Sequence, residues 1–112
     1  MKKLFLDDER DPRDVIKQNL SKDAIYLEEG WTIVRSIMEF RRYLMKEGTP
    51  DVVSFDYWLG SQMTGLDCAQ ALIDHCKTQS AELPRYLVHS SDPDWRVRIY
   101  RLLNEHYYAQ EV

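Results

Sequence analysis

The stretch Lys3-Leu4-Phe5-Leu6-Asp7-Asp8-Glu9-Arg10 decides how this chain is read. Its first four residues have an apolar core and predict a short buried strand, too short for a helix. Two carboxylates follow at the point where that strand ends. In open α/β sheets, ligands occupy the crevice beyond the carboxyl ends of the strands. Paired acids there can hold a hard divalent cation through oxygen ligands. Taken alone, the doublet reads first as the start of a loop, since Asp favours turns and caps. Its meaning depends on what the other strand ends carry.

Two further buried runs supply the answer. Val52-Val53-Ser54-Phe55 is rich in β-formers and ends in Asp56, and Tyr86-Leu87-Val88 ends in His89-Ser90-Ser91. Between the first two strands lie two more strand-like runs, Ala24–Leu27 and Trp31–Arg35, split by a turn at Glu28-Glu29-Gly30. The second is the better sheet candidate, because a well-marked helix follows it. There Ser36 and Glu39 form a capping box, Ile37, Phe40 and Leu44 give a helical stripe, and Gly48 closes it. A polar loop runs from Gly60 to Met63. Thr64 and Asp67 then cap a helix whose buried face is Ala69, Leu72, Ile73 and Cys76. Asp92 and Pro93 open a last helix with the stripe Trp95, Ile99, Leu102, Leu103 and His106. A weaker helical pattern covers residues 14–22, after the charged loop 9–13.

Strands alternating with helices imply a parallel sheet with right-handed crossovers. A parallel sheet brings Asp7-Asp8, Asp56 and His89-Ser90 to one edge. The length of 112 residues fits a single domain over residues 1–112, large enough for one hydrophobic core. A content of 44% hydrophobic and 30% charged residues is that of an ordinary soluble globule. No run is long enough to span a membrane, and the start of the chain lacks a signal-peptide core. The net charge of −4 argues against generic coating of DNA or RNA. Cys68 and Cys76 fall on one predicted helix, eight residues or about 12 Å apart, too far for a disulfide. Reduced cysteines predict a cytoplasmic location.

An acid doublet after the first strand, an Asp ending the middle strand and a hydroxyl residue ending the next resemble the receiver domain of response regulators. Leu6-Asp7-Asp8-Glu9-Arg10-Asp11-Pro12, Trp31 to Arg35, Ser54-Phe55-Asp56 with Leu59-Gly60, Thr64-Gly65 and Val88-His89-Ser90 resemble, more specifically, the cyclic-phosphate processing receiver domain. The resemblance implies a flavodoxin-like α/β fold with helices on both faces of a parallel sheet, truncated near the fifth strand. It also implies metal-dependent processing of cyclic phosphates or RNA-end phosphates; the small size and the absence of a targeting signal fit a bacterial or bacteriophage protein. The sequence departs from that pattern in two places. Tyr57 and Trp58 stand where the family carries a histidine and a second aspartate, and the receiver lysine has no clear counterpart before Val112.

The chemistry can be assigned residue by residue. Asp7, Asp8 and Asp56 are the candidate ligands of magnesium or manganese. Asp56, His89 and Ser90 are the candidate catalytic residues, His89 as a general acid or base and Ser90 as a donor to a phosphate oxygen. Arg10 and Arg35 are candidate phosphate clamps, and Tyr57 and Trp58 candidate stacking platforms for a base. The Arg96, Arg98 and Arg101 group reads as a solvated helical face. The substrate is then a phosphate-bearing nucleotide or RNA end. The alternative is a degenerate receiver that binds a protein or nucleotide partner without chemistry, favoured by the two departures.

Overall fold

A computed structural model describes residues 1–60 and 63–110. The elements follow in the order β1 (Lys3–Leu6), α1 (Pro12–Lys17), a 3₁₀ turn (Ala24–Leu27), β2 (Trp31–Val34), α2 (Ile37–Glu47), β3 (Val52–Phe55), α3 (Gly65–Gln79), β4 (Arg85–Val88) and α4 (Pro93–Gln110). The four strands form one parallel sheet in the order β2-β1-β3-β4. Parallel pairing follows from the helical crossovers, which return the chain to the same end of the sheet each time.

Residue parity divides the core into two layers. Leu4 and Leu6 of β1, Val53 and Phe55 of β3, and Val88 of β4 face α2, α3 and α4. There they pack with Phe40, Leu44, Leu72, Ile73, Ile99 and Leu103. Phe5 and Val52 face the other way, against Val15 of α1 and Ile25 and Tyr26 of the 3₁₀ turn, with Ile33 and Leu87 at the margin. Helical layers therefore cover both faces, as the sequence predicts. The central strands β1 and β3 are buried along their whole length, which is why they read as continuous apolar runs.

The helix boundaries follow their caps. The Ser36 hydroxyl accepts the Glu39 amide at 3.2 Å, and Gly48 ends α2 at φ +80°. The Asp67 carboxylate accepts the Thr64 amide at 2.7 Å, opening α3. Asp92 accepts the Asp94 amide at 3.0 Å ahead of Pro93. Both cysteines are buried and free on α3.

Two expectations are corrected. The weak helix at 14–22 is observed at Pro12–Lys17, because Asp11 is its N-cap, with the Asp11 amide donating to Asp14 at 2.9 Å. Pro12 therefore sits at the first helical position, where its missing N–H costs nothing. Ala24–Leu27 is a 3₁₀ turn and not a strand. Asp23 accepts the Ile25 amide at 3.0 Å, and the Trp31 indole donates to the Ile25 carbonyl at 3.1 Å. Those local bonds replace a sheet ladder. Of the predicted polar loop after Gly60, residues 61 and 62 lie outside the described residues, as do the last two residues of the chain.

Candidate phosphate and cation site

The sheet ladder continues one residue past three strands and thereby places the site. Asp7 donates its amide to the Val34 carbonyl at 3.1 Å, Asp56 to Leu6 at 2.9 Å and His89 to Phe55 at 2.9 Å. Asp7, Asp56 and His89 are thus aligned across β1, β3 and β4. All three are buried, and their ligand atoms lie within 4.8 Å of one another.

Asp7 is saturated with donors. Its Oδ1 accepts the backbone amides of Glu9 at 2.9 Å and Arg10 at 2.8 Å. Its Oδ2 faces His89 Nε2 at 3.0 Å and Arg10 Nη1 at 3.3 Å. Burial pushes this carboxyl up, but the hydrogen bonds from His89, Arg10 and Glu9 outweigh it and hold the group down at about 2. Asp56 is the opposite case. Burial and the neighbouring Asp7 charge raise its carboxyl to about 7, against the pull of the Tyr57 amide and the Arg10 guanidinium. The two carboxylates share one mouth, only one of them freely ionised near neutrality, and with His89 they form a group that could hold a metal ion.

Arg10 already supplies one positive charge there. Its Nη1 lies 3.3 Å from Asp7 Oδ2 and 3.8 Å from Asp56 Oδ1, and its Nε donates to Gln18 at 2.7 Å. Arg35 has a different task. It donates to the backbone carbonyls of Asp7 at 3.2 Å and Arg10 at 2.6 Å, and to the Asp11 carboxylate at 2.7 Å. Those bonds pin the 7–11 loop and leave Arg35 turned to the loop backbone instead of a phosphate.

Asp8 is partly buried and lies outside the tight Asp7, Asp56 and His89 group. Its Oδ2 sits 2.9 Å from where a Cβ on Gly60 would be, so Gly60, at φ +71°, packs its bare backbone against that carboxylate. His89 is fully buried and stacks on Phe5 with centroids 4.4 Å apart. Ser90 is buried, and its Oγ accepts the Asp92 amide at 3.3 Å, which makes it a turn residue in this conformation. Tyr57 is buried and stacked on Trp95 at 4.3 Å, so its ring is closed to a ligand. Trp58 is 54% exposed and sits edge-on to Trp95. Arg98 does not simply face water, since its guanidinium lies 4.1 Å over the Trp95 ring.

Sequence reasoning missed Ser54 and Tyr26. The Tyr26 hydroxyl lies 2.7 Å from Ser54 Oγ, and Ser54 Oγ lies 2.7 Å from His89 Nδ1. A signal for Ser54 was available: a hydroxyl inside a strand buried on both faces needs an internal partner.

The sequence model of the cyclic-phosphate processing receiver domain matches residues 2–105. No curated protein matches the chain. Among solved structures, a fusion carrying the trimeric coiled coil of yeast Spc42 is 22% identical over 90% of this chain, with a TM-score of 0.58. The chain spans 62% of that molecule's length. The N-terminal domain of a response regulator/sensory box/GGDEF three-domain protein from Carboxydothermus hydrogenoformans is 17% identical over the whole of both chains, at a TM-score of 0.53. The phosphorylated cyanobacterial phytochrome response regulator RcpA is 19% identical, covering 98% of this chain and 91% of its own, at 0.51. At these identities the two response-regulator likenesses establish a shared receiver fold. Among the described residues, no helix is long and apolar enough to cross a membrane.

Proposed function

This chain belongs to the cyclic-phosphate processing receiver domain family, and from that premise we propose that its strand-end site binds a hard divalent cation and a phosphate-bearing nucleotide or RNA end. The observation that carries the proposal is the pairing of two buried carboxylates, Asp7 and Asp56, at the carboxyl edge of a parallel sheet. Burying two acids side by side is unfavourable, as the raised Asp56 carboxyl reports. A site kept in that condition suits a positively charged ligand.

Magnesium or manganese fits the oxygen donors, with Asp7 and Asp56 as the holding carboxylates and Asp8 close by. Both metals accept few protein ligands and keep several waters. Such an ion, when bound, neutralises phosphate oxygens and lowers the pKa of a coordinated water. The chain's own groups do the rest. Arg10 lies between the two acids and can turn its guanidinium to a phosphate once the acids are otherwise neutralised. Ser90 follows β4 at the same carboxyl edge of the sheet, ahead of α4. Trp58, exposed in the loop that follows Asp56, offers an aromatic surface to a base.

The test is turnover of a nucleoside 2′,3′-cyclic phosphate, or of an RNA ending in one, with magnesium or manganese. Ring opening by the wild-type chain that is lost in Asp56→Asn supports the enzyme reading. Binding of the nucleotide with no ring opening supports the alternative, a receiver-like module that holds a nucleotide or protein partner without chemistry. One observation favours that alternative: Arg10 already lies against both acids, 3.3 Å from Asp7 Oδ2 and 3.8 Å from Asp56 Oδ1.

A further inference from the structure

The second face of the sheet, away from α2, α3 and α4, carries a line of polar groups in an otherwise apolar layer. Tyr26, Ser54, His89 and Asp7 are each almost completely buried, and consecutive members lie 2.7, 2.7 and 3.0 Å apart. Parity explains the alignment. Phe5 pairs with Ser54 and Ser54 with Leu87, so Asp7 and His89, each two residues on, point to the same side. The 3₁₀ turn brings Tyr26 over that side, and its place is fixed by the Trp31 bond to Ile25 and by the Arg85–Asp23 ion pair at 2.8 Å.

The donors and acceptors can be assigned by elimination. An ionised Asp7 only accepts, so the hydrogen between it and the ring sits on His89 Nε2. At the other end of the line the buried Tyr26 hydroxyl has Ser54 Oγ as its hydrogen-bond partner and gives its hydrogen to it, which leaves the Ser54 hydrogen for Nδ1. Nδ1 is therefore an acceptor, and burial holds the Tyr26 phenol in its protonated form. Ser54 then has one donor and one acceptor role filled, Tyr26 has its donor role filled, and both ring nitrogens of His89 have partners.

From this geometry we infer that Ser54 and Tyr26 are positioning residues, whose hydroxyls lock His89 with its Nε2–H on Asp7. His89 then serves the acidic edge as a buried donor that aims one carboxylate. It is neither a metal ligand through Nε2 nor an acid–base group facing solvent. The inference bears on the arrangement within the cation site proposed above, but it holds in the cation-free chain and does not depend on turnover.

The experiment is nitrogen NMR of the full chain, labelled with ¹⁵N at histidine, at pH 7 without divalent ions. The expected wild-type spectrum has His89 protonated at Nε2, with Nδ1 unprotonated and displaced by an accepted hydrogen bond. Ser54→Ala should move the Nδ1 resonance to that of a free acceptor. Ser54→Thr, which keeps the hydroxyl, should restore it. Tyr26→Phe should give a smaller displacement in the same direction, because linked hydrogen bonds polarise one another. A purely structural Ser54 would change melting temperature without moving Nδ1. A proton on Nδ1 in the wild type, or an unmoved Nδ1 resonance in Ser54→Ala, overturns the inference whether or not the chain binds a cation.

Discussion

His89 Nε2 lies 3.0 Å from Asp7 Oδ2, and both side chains are sealed from solvent. The pair joins the hydrophobic interior to the polar rim of the sheet. On the interior side the imidazole stacks on Phe5 and meets Ser54. On the rim side Asp7 holds the Glu9 and Arg10 amides and so shapes the loop after β1. One buried contact thereby connects core packing to the mouth of the site, where Arg10 reaches Asp56.

The two buried acids should give the cation-free protein opposing pH limbs. Asp7 is held at about 2, below the ordinary 3.8, so its contribution to stability is present above pH 3.8 and is lost as pH falls toward 2. Asp56 is raised from 3.8 to about 7, so stability falls as pH rises across that interval. Asp56→Asn should therefore be more stable than wild type at pH 8, on the order of 2–4 kcal/mol, and should converge with it near pH 4. Urea unfolding at pH 4, 6 and 8 checks this. Parallel curves at all three pH values would contradict it.

Arg10→Gln removes the guanidinium that now lies against both acids. Without a cation the variant should lose about 1–3 kcal/mol of stability at pH 8. Its affinity for Mn²⁺ should rise, because no tethered charge competes for the same oxygens. Thermal melts with and without Mn²⁺ check both halves, and a variant whose melting temperature responds less to Mn²⁺ than wild type would show that Arg10 supports cation binding.

Gly65 has no room for a side chain. A Cβ there would stand 1.8 Å from the Asp56 carbonyl oxygen, while the Gly65 amide donates to the Tyr57 carbonyl at 2.6 Å. The start of α3 is thus laid directly on the backbone that carries Asp56. Gly65→Ala should cost about 3 kcal/mol or more, since the clash is with backbone and cannot be relieved by a rotamer change. Chemical denaturation measures it, and a loss below about 1 kcal/mol would show that α3 can shift freely.

Trp58 and Tyr57 are neighbours with opposite exposures, 54% and 6%. Trp58→Ala should leave stability within about 1 kcal/mol of wild type and weaken nucleotide binding about tenfold. Tyr57→Ala removes a ring stacked on Trp95 and should cost about 3–5 kcal/mol. Melting curves together with a nucleotide titration separate the two roles. Equal nucleotide affinity in Trp58→Ala and wild type would remove Trp58 from the binding surface.

The fold was legible where a local signal and the tertiary arrangement agreed. Ser36, Thr64 and Asp92 announce their helices because each cap satisfies its own helix end, whatever lies around it. The strands β1 and β3 announce themselves because burial on both faces demands continuous apolar runs. Ala24–Leu27 misled because β-branched and aromatic residues suit a buried 3₁₀ turn as well as a strand. The Asp23 cap and the Tyr26 bond to Ser54 decide between them, and the latter joins residues 28 apart in sequence. The convergence of Asp7, Asp56 and His89 was legible, because a parallel sheet fixes it. The orientation of His89 was not, since it depends on hydroxyls that meet only in the folded state.

The most direct measurement is isothermal titration of Mg²⁺ and Mn²⁺ into the wild-type chain and Asp56→Asn at pH 7.5. The proposed site predicts saturable binding by the wild type and its loss in the variant. Absence of binding in the wild type, or equal binding by both proteins, would contradict the assignment of Asp7 and Asp56 as a cation site.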